Sequence, residues 1–249
     1  ADDGIRDSST SRGLGDVYKR QAYSEHQIVQ LTSSLQPFSD HGLRLLSHGC
    51  YIIRVTDPGK RVALRDVAGG QAYVETAPEF LVFCADLSRP MRCCRQHGGT
   101  PAEGLTEQFV IATVDAALYA QNLVIAAESA GLGICYIGAL RNDPAKVPEL
   151  LDLPQQVYPV FGLCLGYPAH DPEVKPRLPV SVTLKTDSYS TDGEDEAIAA
   201  YDEEMRTYYA SRSANIKVQG WSDQMAGLLA KEGRPHMLAF LQSQGFLTR

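Results

Sequence analysis

Three short segments of the chain combine residue types that can bind a flat, charged ligand. They are Gly69-Gly70-Gln71, Tyr136-Ile137-Gly138-Ala139 followed by Arg141-Asn142, and Lys175-Pro176-Arg177-Leu178-Pro179. In the second segment a buried strand runs into Gly138-Ala139 just before a predicted helix. Small residues there let another group approach the backbone, whose N–H groups can donate hydrogen bonds. The segment suits a planar heterocycle, and an ordinary tight turn between a strand and a helix is the alternative.

The third segment places two cations on either side of a proline. Side chains two residues apart in an extended chain point to the same side, and proline restricts the backbone between them. Lys175 and Arg177 therefore form a candidate clamp for a phosphate or a developing anion in an otherwise acidic protein. The alternative is a solvated loop with two exposed cations.

Several classes of function are disfavoured by composition and by missing motifs. The formal net charge of −7 disfavours a nucleic acid or an anionic membrane surface as a partner. The chain lacks GxGxxG, the Walker phosphate loop and the GxSxG elbow. The six cysteines include no CxxC pair and no zinc-like spacing with the scattered histidines, so no metal site is predicted.

The expected location of the protein is the cytoplasm. Its cysteines have the pattern of unpaired thiols in a reducing compartment. No basic-then-apolar signal stretch begins the chain, and no uncharged apolar run reaches the ~18 residues of a membrane span.

Apolar periodicity predicts an α+β domain whose sheet is covered by helices. Strands are expected at 51–56, 79–86, 134–140, about 160–167 and 180–185. Helices are expected at 24–35, 60–68, 103–130, 144–151, 194–212, 221–231 and 235–244. Residues 87–103 are expected to be a loop because they contain two prolines and a Gly-Gly pair. The helix at 103–130 is apolar around much of its circumference but carries charges, which indicates burial by the core or by a partner subunit rather than by a bilayer.

The chain resembles the NADPH-dependent, oxygen-insensitive nitroreductases and their close relatives of the flavin reductase P branch. The resemblance lies in consecutive blocks from about residue 51 to 249: GGQ, EFLVFCAD, VDAALYAQNLVIAAESAGLG, CYIGALRND, LPQQVYPVFGLCLGYPA, KPRLP and YDEEMRTYY. It implies a nitroreductase-like fold with a central, mostly antiparallel mixed sheet covered by helices. It further implies a homodimer with one FMN per subunit at the interface and a helical excursion near 194–245.

The resemblance also implies which residues bind the cofactors. The positions that match flavin-contacting residues are Gln71, Tyr136, Ile137, Gly138, Ala139, Lys175 and Arg177. Arg212 and Lys217 fall where the family holds the 2′-phosphate of NADPH, although Arg212 also reads as an ordinary cation at a helix end.

The implied reaction is hydride transfer from NADPH through FMN to a nitroaromatic, a quinone or free flavin, in a ping-pong sequence. Lys175 is expected to stabilise negative charge near flavin N1 and the C2 carbonyl, Arg177 to bind the phosphate, and the backbone near Gly138 to face the N5/O4 edge. No side chain is assigned as a catalytic acid or base, because flavin and solvent can move the protons.

The first 50 residues depart from the family pattern. Residues 1–21 lack an apolar period, which predicts a disordered or non-native leader before a nitroreductase-like domain at 22–249. The family's His-Arg-Ser-x-Arg-x-Phe motif, which grips the FMN phosphate, has no counterpart. Residues 40–50 do not match the family's next block, which indicates a truncated gene or a local frame shift across about 32–50. The alternative function is therefore a truncated family member that binds FMN weakly and is catalytically impaired.

Overall fold

A computed structural model describes residues 18–19, 49–169, 174–212 and 218–249. The chain divides into two compact units. The sheet unit contains the described parts of Leu14–His170 together with Arg234–Arg249. The helical unit contains the described parts of Asp171–Gly233.

The sheet unit is built on antiparallel strands. In chain order they are β1 (Tyr18–Lys19), β2 (Cys50–Arg54), β3 (Glu79–Asp86), β4 (Gly133–Ile137) and β5 (Val157–Pro168). β5 pairs with β3, which pairs in turn with β2, while β4 and β1 pair with consecutive parts of β5. Every strand pairing that the structure describes is antiparallel.

Helices connect and cover these strands. They are α1 (Pro58–Val67), α2 (Ala72–Thr76), α3 (Ser88–Gln96), α4 (Thr106–Ser129), α5 (Lys146–Leu151) and α9 (Met237–Ser243), with a 3₁₀ helix at Gly138–Asn142. α1 begins where the sequence favours it, because Pro58 occupies the first turn and Asp57 accepts a hydrogen bond from the Lys60 N–H at 2.7 Å.

β3 shows why the sheet needs cover on both faces. All eight of its residues are buried, as its apolar run predicts. Phe80 and Val82 face a core that includes residues of α1, α2 and α5. Leu81 and Phe83 face the opposite core, to which α4 contributes. The predicted α+β class with a helix-covered sheet is confirmed.

α4 packs on the sheet through its small residues and leaves larger ones outside. Its buried residues are Ala112, Ala116, Ala120, Leu123, Val124 and Ala127. Val110, Val114, Leu118 and Ile125 are 41–58% exposed. By length and mean hydropathy α4 is also the one helix among the described residues that could cross a membrane.

The helical unit contains α6 (Val180–Thr183), α7 (Glu194–Ser211) and α8 (Trp221–Leu229). Its core is a cluster of Tyr201, Met205 and Tyr209 on one face of α7, with Leu178, Tyr208 and Trp221 packed against it. The predicted excursion ran to about residue 245, but Phe240 and Leu241 of α9 pack into the core of the sheet unit.

Three local predictions were wrong. Residues 88–96 form α3 rather than a loop, because Pro90 lies in the first helical turn, where no intrahelical N–H bond is needed. Residues 180–183 form a single helical turn after Pro179 rather than a strand. β4 ends at Ile137 rather than at residue 140, and most of it is only half-buried because its described pairing is with β5 alone.

Two predictions on the N-terminal part fall largely outside the described residues. The helix at 24–35 lies wholly outside them, and of the mismatched residues 40–50 only Gly49 and Cys50 are described. Within the predicted leader, Tyr18 and Lys19 pair with Pro168 and Tyr167 of β5. The assignment of residues 1–21 to a leader stays a prediction.

Candidate functional site

The turn after α1 requires glycine. Gly69 and Gly70 have φ values of +73° and +79°, a region that side chains with a Cβ rarely adopt. Their N–H groups donate to the carbonyls of Asp66 and Arg65 at 3.0 and 2.9 Å, which ends the helix. Apart from Gly70 itself and its two chain neighbours, no atom of the described residues lies within 4 Å of a Cβ built on Gly70. The backbone of this turn is therefore open to a ligand.

Gln71 follows this turn and is the N-cap residue of α2. Its side-chain Oε1 is buried, and no described residue gives it a hydrogen bond. It is one of four such glutamine oxygens in the described part of the chain, and of these it alone lies in a predicted site segment. A buried acceptor without a partner costs about 1–3 kcal/mol, so a ligand N–H at this position would be stabilising.

The end of β4 leads into the 3₁₀ helix through Tyr136–Ala139. Ile137 and Ala139 are buried, whereas Tyr136 is 38% exposed and its ring stands edge-on to Phe161 at 5.1 Å. A Cβ on Gly138 would lie 3.4 Å from Nη2 of Arg141. Glycine at this position thus leaves room for a guanidinium beside the strand end.

Two arginines to which the sequence analysis assigned no ligand contact lie at this strand end, and Arg141 belongs to the second candidate segment. Arg141 donates to the Val160 carbonyl, and Arg234 donates twice to Asn142 Oδ1 at 3.1 and 2.9 Å. Burial, and secondarily the charge of Arg141, lowers the pKa of Arg234. Neither guanidinium forms an ion pair within the described ranges. Two cations at one strand end without an ion-pair partner favour an anionic ligand.

Asn142 connects the arginine pair to the glycine turn. Its Nδ2 lies 3.7 Å from a Cβ built on Gly69, while its Oδ1 accepts from Arg234. The predicted segments at 69–71 and 136–139 are therefore brought together within the sheet unit. The sequence carried a signal for Arg141, which follows Ala139 by two residues, but none for Arg234.

The helical unit holds the other predicted cations, and each of their side chains makes its own contact. The Lys175 ammonium lies over the ring of Tyr209, 5.7 Å from its centroid. The Arg177 Nη1 donates to the Lys175 carbonyl at 3.1 Å. Both side chains are exposed, and neither has an ion pair with a described residue. Both charges remain available to an anion.

Arg212 ends α7, and its guanidinium lies over the ring of Tyr208 at 5.7 Å. The ring fixes the position of the cation without neutralising it. Lys217, the second residue predicted for the NADPH phosphate, lies outside the described residues. No group of three or more potential metal ligands occurs in the part of the chain that the structure describes.

Comparison with protein families gives two matches. The model of the nitroreductase family matches residues 15–167. The model of the nitroreductase family C-terminal domain matches residues 175–249.

Individual relatives agree with these matches. The chain is 48% identical over 198 residues to an NADPH-flavin oxidoreductase of Vibrio harveyi, covering 80% of each chain. It is 45% identical over 198 residues to an oxygen-insensitive NADPH nitroreductase of Salmonella typhimurium, again covering 80% of each. A solved structure of the NADPH:FMN oxidoreductase from Vibrio harveyi complexed with NAD⁺ has a TM-score of 0.80 at 40% identity, covering 93% of this chain and 94% of that one.

Proposed function

Because the chain belongs to the nitroreductase family, we propose that it is an FMN-dependent oxidoreductase that uses NADPH to reduce nitroaromatics, quinones or free flavin. The observation that carries the proposal is that nitroreductase family models match the chain both before and after residue 170. Relatives that are named for NADPH and flavin support it.

The residues present fit FMN. The buried Gln71 oxygen can accept from a ring N–H, the open turn at Gly69-Gly70 admits a flat group, and Tyr136 adds an exposed aromatic edge. The residues proposed to hold the cofactor are Gln71, Tyr136, Ile137, Gly138, Ala139, Lys175 and Arg177. When bound, FMN accepts hydride from NADPH and passes electrons to the acceptor. Lys175 would favour negative charge on the flavin, and Arg177 would bind its phosphate.

NADPH is an anionic substrate, and the chain supplies cations for it. Arg212 and Lys217 are proposed to bind its 2′-phosphate. The Arg141–Arg234 pair supplies positive potential at the strand end, where the phosphates of the nucleotide or an anionic acceptor can bind. This positive potential offsets the acidity of the chain as a whole.

We further propose that the protein is a homodimer that pairs through α4. Its outward stripe of Val110, Val114 and Leu118 recurs every four residues, so these side chains lie along one face. An isolated domain favours large apolar side chains on the inner face of a surface helix. α4 has the reverse arrangement, with large apolar side chains outside and alanines inside. Covering this stripe with the same stripe of a second copy would remove it from water. Cytoplasmic location is also proposed, since all six cysteines are free thiols.

The proposal is tested by the activity of purified protein saturated with FMN. NADPH oxidation at 340 nm is followed with nitrofurazone, menadione or excess FMN as the acceptor. Protein with FMN should turn over much faster than FMN alone at the same concentration, and NADH should be the poorer donor. Rates no greater than those of free FMN would refute the proposal. Fluorescence titration gives the Kd for FMN. A weakly binding protein regains activity at FMN concentrations above this Kd, whereas an impaired protein stays inactive when saturated.

A further inference from the structure

We propose that Tyr201 and Tyr209 of α7 are positioning residues that hold the Lys175–Arg177 segment in its FMN-binding conformation. The inference rests on the proposed function, in which this segment supplies two cations to FMN. It adds two residues, on a helix some 25 to 35 residues further along the chain, that touch the segment rather than the cofactor.

Tyr201 holds the backbone between the two cations. Its hydroxyl donates to the Pro176 carbonyl at 3.2 Å, and its ring is 5% exposed. Pro176 has no N–H, so its carbonyl is the only backbone group by which this residue can be anchored through a hydrogen bond. Trp221 packs against the Tyr201 ring with centroids 6.3 Å apart, which fixes the donor.

Tyr209 holds the side chain of the first cation. The Lys175 ammonium lies 5.7 Å from the centroid of its ring, within the range of a cation–π contact. The Tyr209 ring is 5% exposed and belongs to the cluster with Tyr201 and Met205. The contact restricts a long, otherwise free side chain and leaves its charge unpaired.

The two contacts are made by one rigid surface. Tyr201, Met205 and Tyr209 recur every four residues on α7 and therefore share a face. Leu178, directly after the segment, packs against the same cluster. The segment is thus held at its side chain, at its central carbonyl and at its following residue, although it has no regular secondary structure.

The test uses Tyr201→Phe, Tyr209→Leu and Tyr209→Phe, with Tyr189→Leu as control. Tyr201→Phe removes the hydroxyl alone. Tyr209→Phe keeps an aromatic face for Lys175, whereas Tyr209→Leu removes it. Tyr189 is an 89% exposed tyrosine of the same unit. Thermal unfolding of each variant confirms that the fold is retained.

FMN affinity and midpoint potential are measured on the holoprotein. Tyr201→Phe should raise the Kd for FMN about two- to ten-fold. Tyr209→Leu should raise it about two- to five-fold and make the midpoint potential more negative, because positive charge near the flavin favours its reduced form. Tyr209→Phe should keep the Kd for FMN and the midpoint potential at their wild-type values, because it keeps the aromatic face. Tyr189→Leu should change neither quantity. Equal Kd and potential in Tyr209→Leu and wild type would overturn the proposal.

A second measurement on the apoprotein does not depend on FMN. Trypsin cleaves after Arg177, whereas the Lys175–Pro176 bond resists it. Cleavage after Arg177 should be faster in Tyr201→Phe and Tyr209→Leu than in wild type and Tyr189→Leu. If the rate of cleavage after Arg177 is the same in the variants as in wild type, the positioning role is overturned, whether or not the wild-type protein binds FMN. Failure of the wild-type protein to bind FMN refutes only the proposed function. Faster cleavage with unchanged FMN affinity also overturns the positioning role.

Discussion

Arg61 gives the sharpest test of how the core supports the site. Its side chain is 9% exposed and donates from Nε to the Val74 carbonyl at 3.0 Å and from Nη2 to the Ala77 carbonyl at 2.5 Å. These carbonyls lie at the C-terminal end of α2, the five-residue helix that Gln71 begins. A helix this short leaves most of its carbonyls without internal partners. Arg61 therefore caps α2 and offsets the negative end of its dipole.

The cost of replacing Arg61 with methionine follows from these two bonds. Methionine keeps most of the apolar volume but leaves two buried carbonyls unsatisfied, at about 1–3 kcal/mol each. Relief from burying a charge offsets part of this loss, since burial lowers the pKa of Arg61. We expect Arg61→Met to lower the free energy of unfolding by about 2–4 kcal/mol. FMN affinity should fall as well, because Gln71 loses its fixed helix.

The assay is urea unfolding of the apoprotein, followed by far-UV circular dichroism at one fixed protein concentration. Arg92→Met is the matched control, because Arg92 is an exposed arginine of the same unit, on α3. It should change the free energy of unfolding by less than about 0.5 kcal/mol. If Arg61→Met is as stable as Arg92→Met, the reasoning that Arg61 caps α2 is refuted.

Four further predictions concern binding, assembly and pH. Gln71→Ala should raise the Kd for FMN about two- to ten-fold, measured by flavin fluorescence, because an N–H donor of the ligand loses its buried acceptor; an unchanged Kd would place the ligand elsewhere. Arg212→Ala should raise KM for NADPH more than for NADH, and equal effects on both would contradict its role at the 2′-phosphate. Val114→Glu combined with Leu118→Glu should shift sedimentation from dimer to monomer, whereas a persistent dimer would mean another interface. Burial raises the pKa of Tyr158 to about 12, so the unfolded chain ionises this tyrosine first, near pH 10. Stability should therefore fall from about pH 10 towards 12, and Tyr158→Phe should reduce the slope of free energy of unfolding against pH by up to about 1.4 kcal/mol per unit; an unchanged slope would show that the hydroxyl is not the group responsible.

Parts of the fold follow directly from local pattern. The strand at 79–86 has the predicted bounds because the continuous apolar run between Glu79 and Asp86 suits burial on both faces. The bounds of α1, α4 and α7 differ from the predictions by three residues or fewer, since caps, glycine stops and helical periodicity are encoded in adjacent residues. β5 begins at Val157, earlier than predicted, and includes Pro159 next to a register shift against β3, where a proline is tolerated.

Other parts follow only from packing. The alternation in residues 180–185 favours a strand, yet a strand needs an unpaired edge beside it, and none of the described strands lies in the helical unit. The long apolar helix α4 was expected to be buried by the core or by a partner. The structure shows that the core covers only its alanine side.

The sequence by itself determined the family, and it supplied the three candidate segments and the residue types that a flavin site needs, because these reside in contiguous blocks with local periodicity. It did not determine which cationic side chains lack an ion pair among the described residues, or which distant residues they contact. Asn142 and Arg234 are 92 residues apart, and Tyr201 reaches Pro176 across 25 residues. The first contact exists only once β4, the 3₁₀ helix and the chain before α9 have packed together. The second exists only once α7 has formed its tyrosine face. Side-chain contacts between distant segments depend on tertiary packing, and no periodicity along the chain records them.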